Sequence, residues 1–301
     1  MSDSELAAIE DQLRSAPDFS QMPIDEMRKT IDTMAAAVPS DPSIAYEQIK
    51  LGHVAVEVGV APGSRTDQSL LYFHGGGPTG TVQSYRGLVG RIGRATGIRT
   101  LAVDFRLPPE HPFPTSSDDA LAAYRALIAG GVDPATVVFC GDSAGGGLAL
   151  VTLARLREAD LPAPCAAAVM GPWTDLSSSG QSMIDMRDKD VLLSADVCNR
   201  MAALCLGGTD PRHPYASALF AELTGLPPLL IQVGTREVLL DDSIRLARKA
   251  AAAEVRVVLE IWPKMPHVWH QFASSLGEAR AAINRIGSYL KEQLAATAQP
   301  R

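Results

Sequence analysis

The chain is poor in the features that mark several protein classes. Four cysteines stand among its 301 residues, Cys140, Cys165, Cys198 and Cys205, and none forms a C-x-x-C pair. That argues against a disulfide scaffold and predicts reduced, buried thiols. Cys198 and Cys205 are expected two turns apart on one helix, too far for a bridge. There is no H-E-x-x-H and no clustered Cys/His set, so neither a metal nor an organic cofactor is expected. No apolar run nears the roughly 20 residues that span a bilayer, which argues against membrane insertion. The opening MSDSELAAIEDQL carries acids where a secretory signal has Lys or Arg before an apolar core, so the expected location is the cytoplasm. Basic excess is lacking too. The 27 Lys and Arg face 34 Asp and Glu, a net charge of −7 without a basic stripe, which disfavours nucleic acid and anionic membranes as partners.

What is present is the composition of a globular protein, 46% hydrophobic and 20% charged, long enough for one large α/β domain or two small ones. Strands are predicted at His53–Val60, Leu70–Phe73, Arg99–Phe105, Val137–Cys140, Ala166–Met170, Leu229–Val233 and Arg256–Trp262. Helices are predicted near Ser117–Ala129, after Ser143, and near Ala195–Leu206, Asp241–Ala252 and Gly277–Leu294. Such alternation specifies an α/β fold with a mostly parallel sheet covered by helices on both faces. Residues 1–45 read as helical, with apolar stripes at Leu6, Ile9, Leu13 and at Ile24, Met27, Ile31, Met34, closed by Pro39 and Pro42. Residues 176–220 break the alternation and read as an insertion packed beside those helices. The expected division is therefore an N-terminal helical cover (1–45), a core in two parts (46–175 and 221–301) and the inserted section (176–220).

The centre of the chain is Thr136–Leu153, TVVFCGDSAGGGLALVTL. A buried β-branched run, then Gly141-Asp142-Ser143-Ala144-Gly145, then a helical pattern gives the strand–turn–helix setting that G-x-S-x-G requires of a nucleophile. Gly141 and Gly145 remove side chains that would collide across the turn. Asp142 is read as support for the loop rather than as a reacting group.

In open parallel sheets function gathers where strands deliver their carboxyl ends, and a serine nucleophile needs a base there. Of six histidines, His53 opens a strand, His213 sits in the insertion, and His111 lies in the proline loop RLPPEHPFP, so these read as structural or solvated. His267, in Pro263-Lys264-Met265-Pro266-His267, follows the last strand and can reach the turn; His270 is the alternative. An acid must hold the base's other nitrogen. Glu237 lies closest to its strand end, while Asp241 and Asp242 precede a helix that they would cap. His74-Gly75-Gly76-Gly77 has no Gly-Lys-Ser/Thr after it and so is no P-loop. Its unhindered N–H groups, with that of Ala144, suit an oxyanion hole, read as Gly75, Gly76 and Ala144 with His74 in support.

His74-Gly75-Gly76-Gly77, the stretch Val103–Pro114, Gly141-Asp142-Ser143-Ala144-Gly145-Gly146 and Met265-Pro266-His267 together resemble the bacterial hormone-sensitive-lipase-like esterases over about residues 65–295. The order Ser143, Glu237, His267 is also that of the α/β-hydrolase triad. The resemblance implies an α/β-hydrolase fold, a cap made by the N-terminal helices and the insertion, and hydrolysis of small carboxylic esters with short to medium acyl chains; it is compatible with a homodimer. Three positions depart from the family pattern: Glu237 stands where many members have Asp, Pro78 where an aromatic is usual, and Pro108 where alanine is usual. An amidase or thioesterase with the same triad is an alternative. So is a small-ligand receptor on this scaffold, although such receptors lack the histidine present here as His267.

Overall fold

The computed structural model describes residues 3–297 except 16, 18, 20 and 37–39; Pro39 lies outside the described residues. In chain order come α1 (Asp3–Arg14), α2 (Ile24–Ala36), β1 (Ala45–Leu51), β2 (Val54–Val60), β3 (Arg65–Phe73), α3 (Val82–Thr96), β4 (Ile98–Asp104) and α4 (Thr115–Ala129). They are followed by β5 (Val137–Asp142), α5 (Ser143–Leu156), β6 (Ala166–Met170), α6 (Ser182–Asp185) and α7 (Ala195–Leu206). The chain continues through β7 (Leu229–Gly234), α8 (Leu240–Ala252), β8 (Val257–Trp262) and α9 (Gly277–Thr297). The strands form one eight-stranded sheet in the order β1-β2-β4-β3-β5-β6-β7-β8. β1, β2 and β4 pair antiparallel, and β4 through β8 run parallel.

The apolar runs of the central strands are continuous because both faces are covered. Leu70, Tyr72, Val138, Cys140, Ala166, Ala168 and Leu230 face a core shared with α1, α3 and α9. Their alternates, Leu71, Phe73, Val137, Phe139, Ala167, Val169 and Ile231, face a second core against α4, α5 and α8. The strand period of two thus splits each run between two layers. A smaller cluster, with Trp173, Met183, Cys198, Ala202, Leu206, Val238 and Leu239, binds the insertion to the loops above β6 and β7.

Three elements lay outside the sequence reading, β1, α3 and the single-turn α6. β1 is an edge strand whose residues are exposed or half-buried; only Ile49 and Leu51 pack against a core, too short an alternation to mark a strand. α3 carries Gly87, Gly90 and Gly93, which lower helix propensity. Packing explains two of them: a Cβ on Gly90 would meet Ile44 Cδ1 at 2.7 Å, and one on Gly93 would meet Thr100 Cγ2 at 2.9 Å. The helix starts with a capping box, Thr81 accepting from Ser84 N–H while Ser84 Oγ accepts from Thr81 N–H.

In the parallel part of the sheet, β3, β5, β6, β7 and β8 end at one rim. There β3 delivers His74–Gly77, β5 delivers Ser143, β6 delivers Gly171–Asp175, β7 delivers Glu237, and β8 delivers His267.

Candidate active site

Ser143 stands at the β5–α5 junction with φ +51°, left-handed backbone that a side chain adopts only under strain. The flanking glycines are required by close approach. A Cβ on Gly145 would fall 2.1 Å from Phe73 O and 2.3 Å from His74 O, and one on Gly141 would fall 2.7 Å from Gly145 O. The turn therefore presses against the end of β3 as well as against itself. Trp173 N–H donates to Ser143 O at 2.9 Å and ties the turn to the loop after β6.

Ser143 Oγ lies 2.8 Å from His267 Nε2, and His267 Nδ1 lies 2.6 Å from Glu237 Oε2. An ionised carboxylate can only accept, so the imidazole proton sits on Nδ1 and leaves Nε2 free to accept from the serine. Burial by itself would depress the His267 pKa. The adjacent Glu237, with Asp190 and Asp142 further off, outweighs that and leaves it raised. Glu237 is fully buried, and its Oε1 accepts Gly234 N–H at 2.6 Å. The glutamate fits here because of Gly171, whose φ is +48° and whose Cβ would stand 2.6 Å from Glu237 Oε2 and 3.1 Å from His267 Nδ1.

The alternatives weighed from sequence lie elsewhere. His270 Nε2–H donates to Gln232 Oε1 at 2.8 Å, and burial lowers its pKa to about 3. His53 pairs with Asp119 at 3.1 Å, and His213 packs against the rings of Phe113 and Tyr215. Asp241 and Asp242 do not cap α8, whose start has no side-chain cap. They sit inside its first turn and reach across to neighbouring loops instead. Asp242 Oδ2 accepts Thr174 N–H at 2.7 Å and Asp175 N–H at 2.8 Å, and Asp241 Oδ2 accepts Ser182 N–H at 3.0 Å.

The glycine loop requires one correction. Gly75 N–H donates to Asp142 Oδ1 at 3.0 Å, so that donor is committed inside the protein and does not face a substrate. Gly76, Gly77 and Ala144 line the cavity beside Ser143 instead. Asp142 is buried and also accepts from Tyr72 OH at 2.6 Å; burial pushes its pKa up to about 6 against these bonds. His74 is buried and stacked on Phe105, and burial pulls its pKa down to about 4. As a neutral ring it donates Nδ1–H to Gly75 O at 3.0 Å.

One acid gave no sequence signal. Asp190, at the start of the segment leading to α7, accepts Leu192 and Leu193 N–H at 2.9 Å each through Oδ1 and Val238 N–H at 2.9 Å through Oδ2. It joins the insertion to the residue after Glu237, a contact 48 positions apart that no local pattern marks.

Two cavities meet at this point. The larger, about 240 Å³, is lined by Ser143, Ala144, His267, Gly76 and Gly77 together with Met27, Ile31 and Met34 of α2 and Val197 and Met201 of α7. The smaller, about 100 Å³, is lined by His74, Phe105, Phe113, Ala144, Trp173 and Tyr215. Trp173, Ala144 and Gly77 border both.

A strand–turn–helix serine below two apolar cavities on a mostly parallel sheet defines the class, and comparison with known proteins agrees. The pattern of a family described as alpha/beta hydrolase fold matches residues 70–271. An acetyl-hydrolase of Streptomyces hygroscopicus is 46% identical over 244 residues, covering 81% of each chain. An esterase of Acinetobacter venetianus is 32% identical over 265 residues, covering 87% of each. The crystal structure of an esterase from the bacterial hormone-sensitive lipase family superposes with a TM-score of 0.94 at 41% identity, covering 98% of this chain and 99% of that one. The chain belongs to the α/β-hydrolase family, within its bacterial hormone-sensitive-lipase branch of esterases. It is an enzyme of the carboxylic ester hydrolase class.

Proposed function

We propose that the enzyme hydrolyses small carboxylic esters of short to medium acyl chain through an acyl-enzyme on Ser143. His267 Nε2 takes the serine proton as Oγ attacks the ester carbonyl. Glu237 fixes the imidazole tautomer and stabilises the imidazolium that forms. The oxyanion is held by backbone N–H groups of Gly76, Gly77 and Ala144, a set that replaces the Gly75, Gly76 and Ala144 expected from sequence. His267 then gives its proton to the departing alcohol, and water repeats the sequence to release the acid. The observation that carries this reading is the relay of 2.8 and 2.6 Å from serine through histidine to glutamate.

On this reading α1, α2 and the 176–220 section act as a cap that closes the larger cavity over the ester and excludes water. All the groups named belong to one chain, so the chemistry makes no demand on oligomeric state. The four cysteines are free, in keeping with a cytoplasmic setting. An esterase among the relatives supports ester over amide or thioester substrates.

Hydrolysis of p-nitrophenyl acetate, butyrate, decanoate and palmitate by wild type and Ser143→Ala tests the proposal. A cavity near 240 Å³ favours acyl groups below about ten carbons, with turnover lost in the variant. Preference for long-chain emulsions, or equal activity in Ser143→Ala, contradicts it.

A further inference from the structure

One arginine reaches from α2 to the two loops beside the serine. Arg28 Nε donates to Pro78 O at 2.9 Å, and an η nitrogen donates to Pro108 O at 2.8 Å. The two η nitrogens also grip Glu110 at 2.7 and 2.8 Å. Pro78 follows Gly77 directly, so the guanidinium touches the glycine loop one residue from its end. Glu110 is held well below the usual carboxylate range, at about 2, by the same guanidinium. An exposed ion pair of this kind contributes only about 0–1 kcal/mol. Its use is to orient a rigid fork of donors toward two backbone carbonyls.

The loop needs such a hold. Gly76 and Gly77 have φ of +83° and +54°; Gly76 packs against the Gly80 backbone, but Gly77 stands in open space with no neighbour to fix it. Several contacts restrain the loop, His74 Nδ1–H on Gly75 O at 3.0 Å among them. On the inner side Gly75 N–H is held by Asp142. Within the loop Thr79 closes a turn, its N–H at 3.0 Å and its hydroxyl at 2.6 Å from Gly76 O. On the outer side the restraint is Arg28 on Pro78. Met27, the preceding residue on α2, is fully buried and lines the larger cavity, so the same helical turn is seated against the site.

We propose that Arg28 is a positioning residue for hydrolysis: it fixes the glycine loop from outside, through Pro78, so that the Gly76 and Gly77 N–H groups meet the developing oxyanion. The inference rests on the reading of this loop as the oxyanion hole. It makes α2 part of the catalytic machinery and not only a wall of the cavity. Transition-state charge is stabilised best by donors fixed before the reaction, and a displacement near 1 Å can cost roughly a hundredfold in rate.

The test compares Arg28→Met, Arg28→Lys and Glu110→Gln on p-nitrophenyl acetate and butyrate, together with inhibition by a trifluoromethyl ketone whose hemiketal oxygen mimics the oxyanion. Arg28→Met lowers kcat on both esters by a common factor of about ten, leaves KM within about twofold, and weakens the ketone by a similar factor. Arg28→Lys recovers part of the loss, because one ammonium reaches one carbonyl. Glu110→Gln loses less than Arg28→Met, because both carbonyl bonds remain. Unchanged kcat on acetate, with KM rising as the acyl chain lengthens, overturns the inference and leaves Arg28 as a seat for the cap. If Arg28→Met does not fold, the kcat, KM and ketone pattern of Arg28→Lys decides the matter alone. Activity surviving in Ser143→Ala defeats the reaction scheme itself, whereas a dead Ser143→Ala with a normal Arg28→Met defeats only this inference.

Discussion

Gly171→Ala is expected to disable the enzyme without unfolding it. The added Cβ would stand 2.6 Å from Glu237 Oε2, where ordinary contact begins near 3.4 Å. The carboxylate must therefore retreat by about 0.8 Å. It cannot turn aside freely, because its other oxygen is held by Gly234 N–H at 2.6 Å. Retreat stretches the 2.6 Å bond to His267 Nδ1 to as much as about 3.4 Å, past the usual N–H···O range, and loosens the hold on the imidazole's tautomer and orientation. A misplacement of this size corresponds to about a hundredfold in kcat, near 2.7 kcal/mol of barrier. The left-handed backbone at φ +48° adds roughly 1–2 kcal/mol of lost stability for alanine. Steady-state hydrolysis of p-nitrophenyl butyrate and a thermal melt separate the two effects. A variant with wild-type kcat and unaltered pH profile would refute the claim that Gly171 makes room for the glutamate.

Glu237 and Asp241 differ sharply in what their loss should do. Glu237→Ala loses most turnover, and Asp241→Ala, which removes an acceptor for Ser182 N–H, keeps it; the reverse would move the acid to Asp241. The pH profile has a definite sign. In the proposed mechanism His267 works as neutral imidazole, and its pKa is raised above the ordinary value, so kcat/KM is expected to fall as pH drops through that raised value. Glu237→Gln removes the negative partner and shifts this acid limb to lower pH, while kcat drops by up to about 10⁴. An acid limb that stays in place identifies some other group as the one titrating.

The central strands were legible in the sequence because burial on both faces leaves nearly unbroken apolar runs such as Val137–Cys140. The strand–turn–helix motif located Ser143 because the backbone there tolerates almost nothing but glycine at 141 and 145. The convergence of Glu237 and His267 on Ser143 could be anticipated because side chains meet at the carboxyl ends of parallel strands. Strand β1 was not legible, since at this edge only Ile49 and Leu51 face a core, too short a pattern to read. α3 was hidden by glycines whose purpose is contact with Ile44 and Thr100, residues on other elements. The commitment of Gly75 to Asp142 turns on the direction of one N–H, which a run of three identical residues does not encode. Asp190, Gly171 and Arg28 act through contacts made across the fold, and local patterning carries no trace of them.

The proposed mechanism requires that Ser143 be the residue that becomes acylated. Mass spectrometry of the protein after treatment with a fluorophosphonate examines this directly. A single adduct on the peptide containing Ser143, formed quickly by wild type, far more slowly by His267→Ala and not at all by Ser143→Ala, is the result predicted. An adduct elsewhere, or equal labelling of Ser143→Ala, would contradict the nucleophile and with it the proposed mechanism.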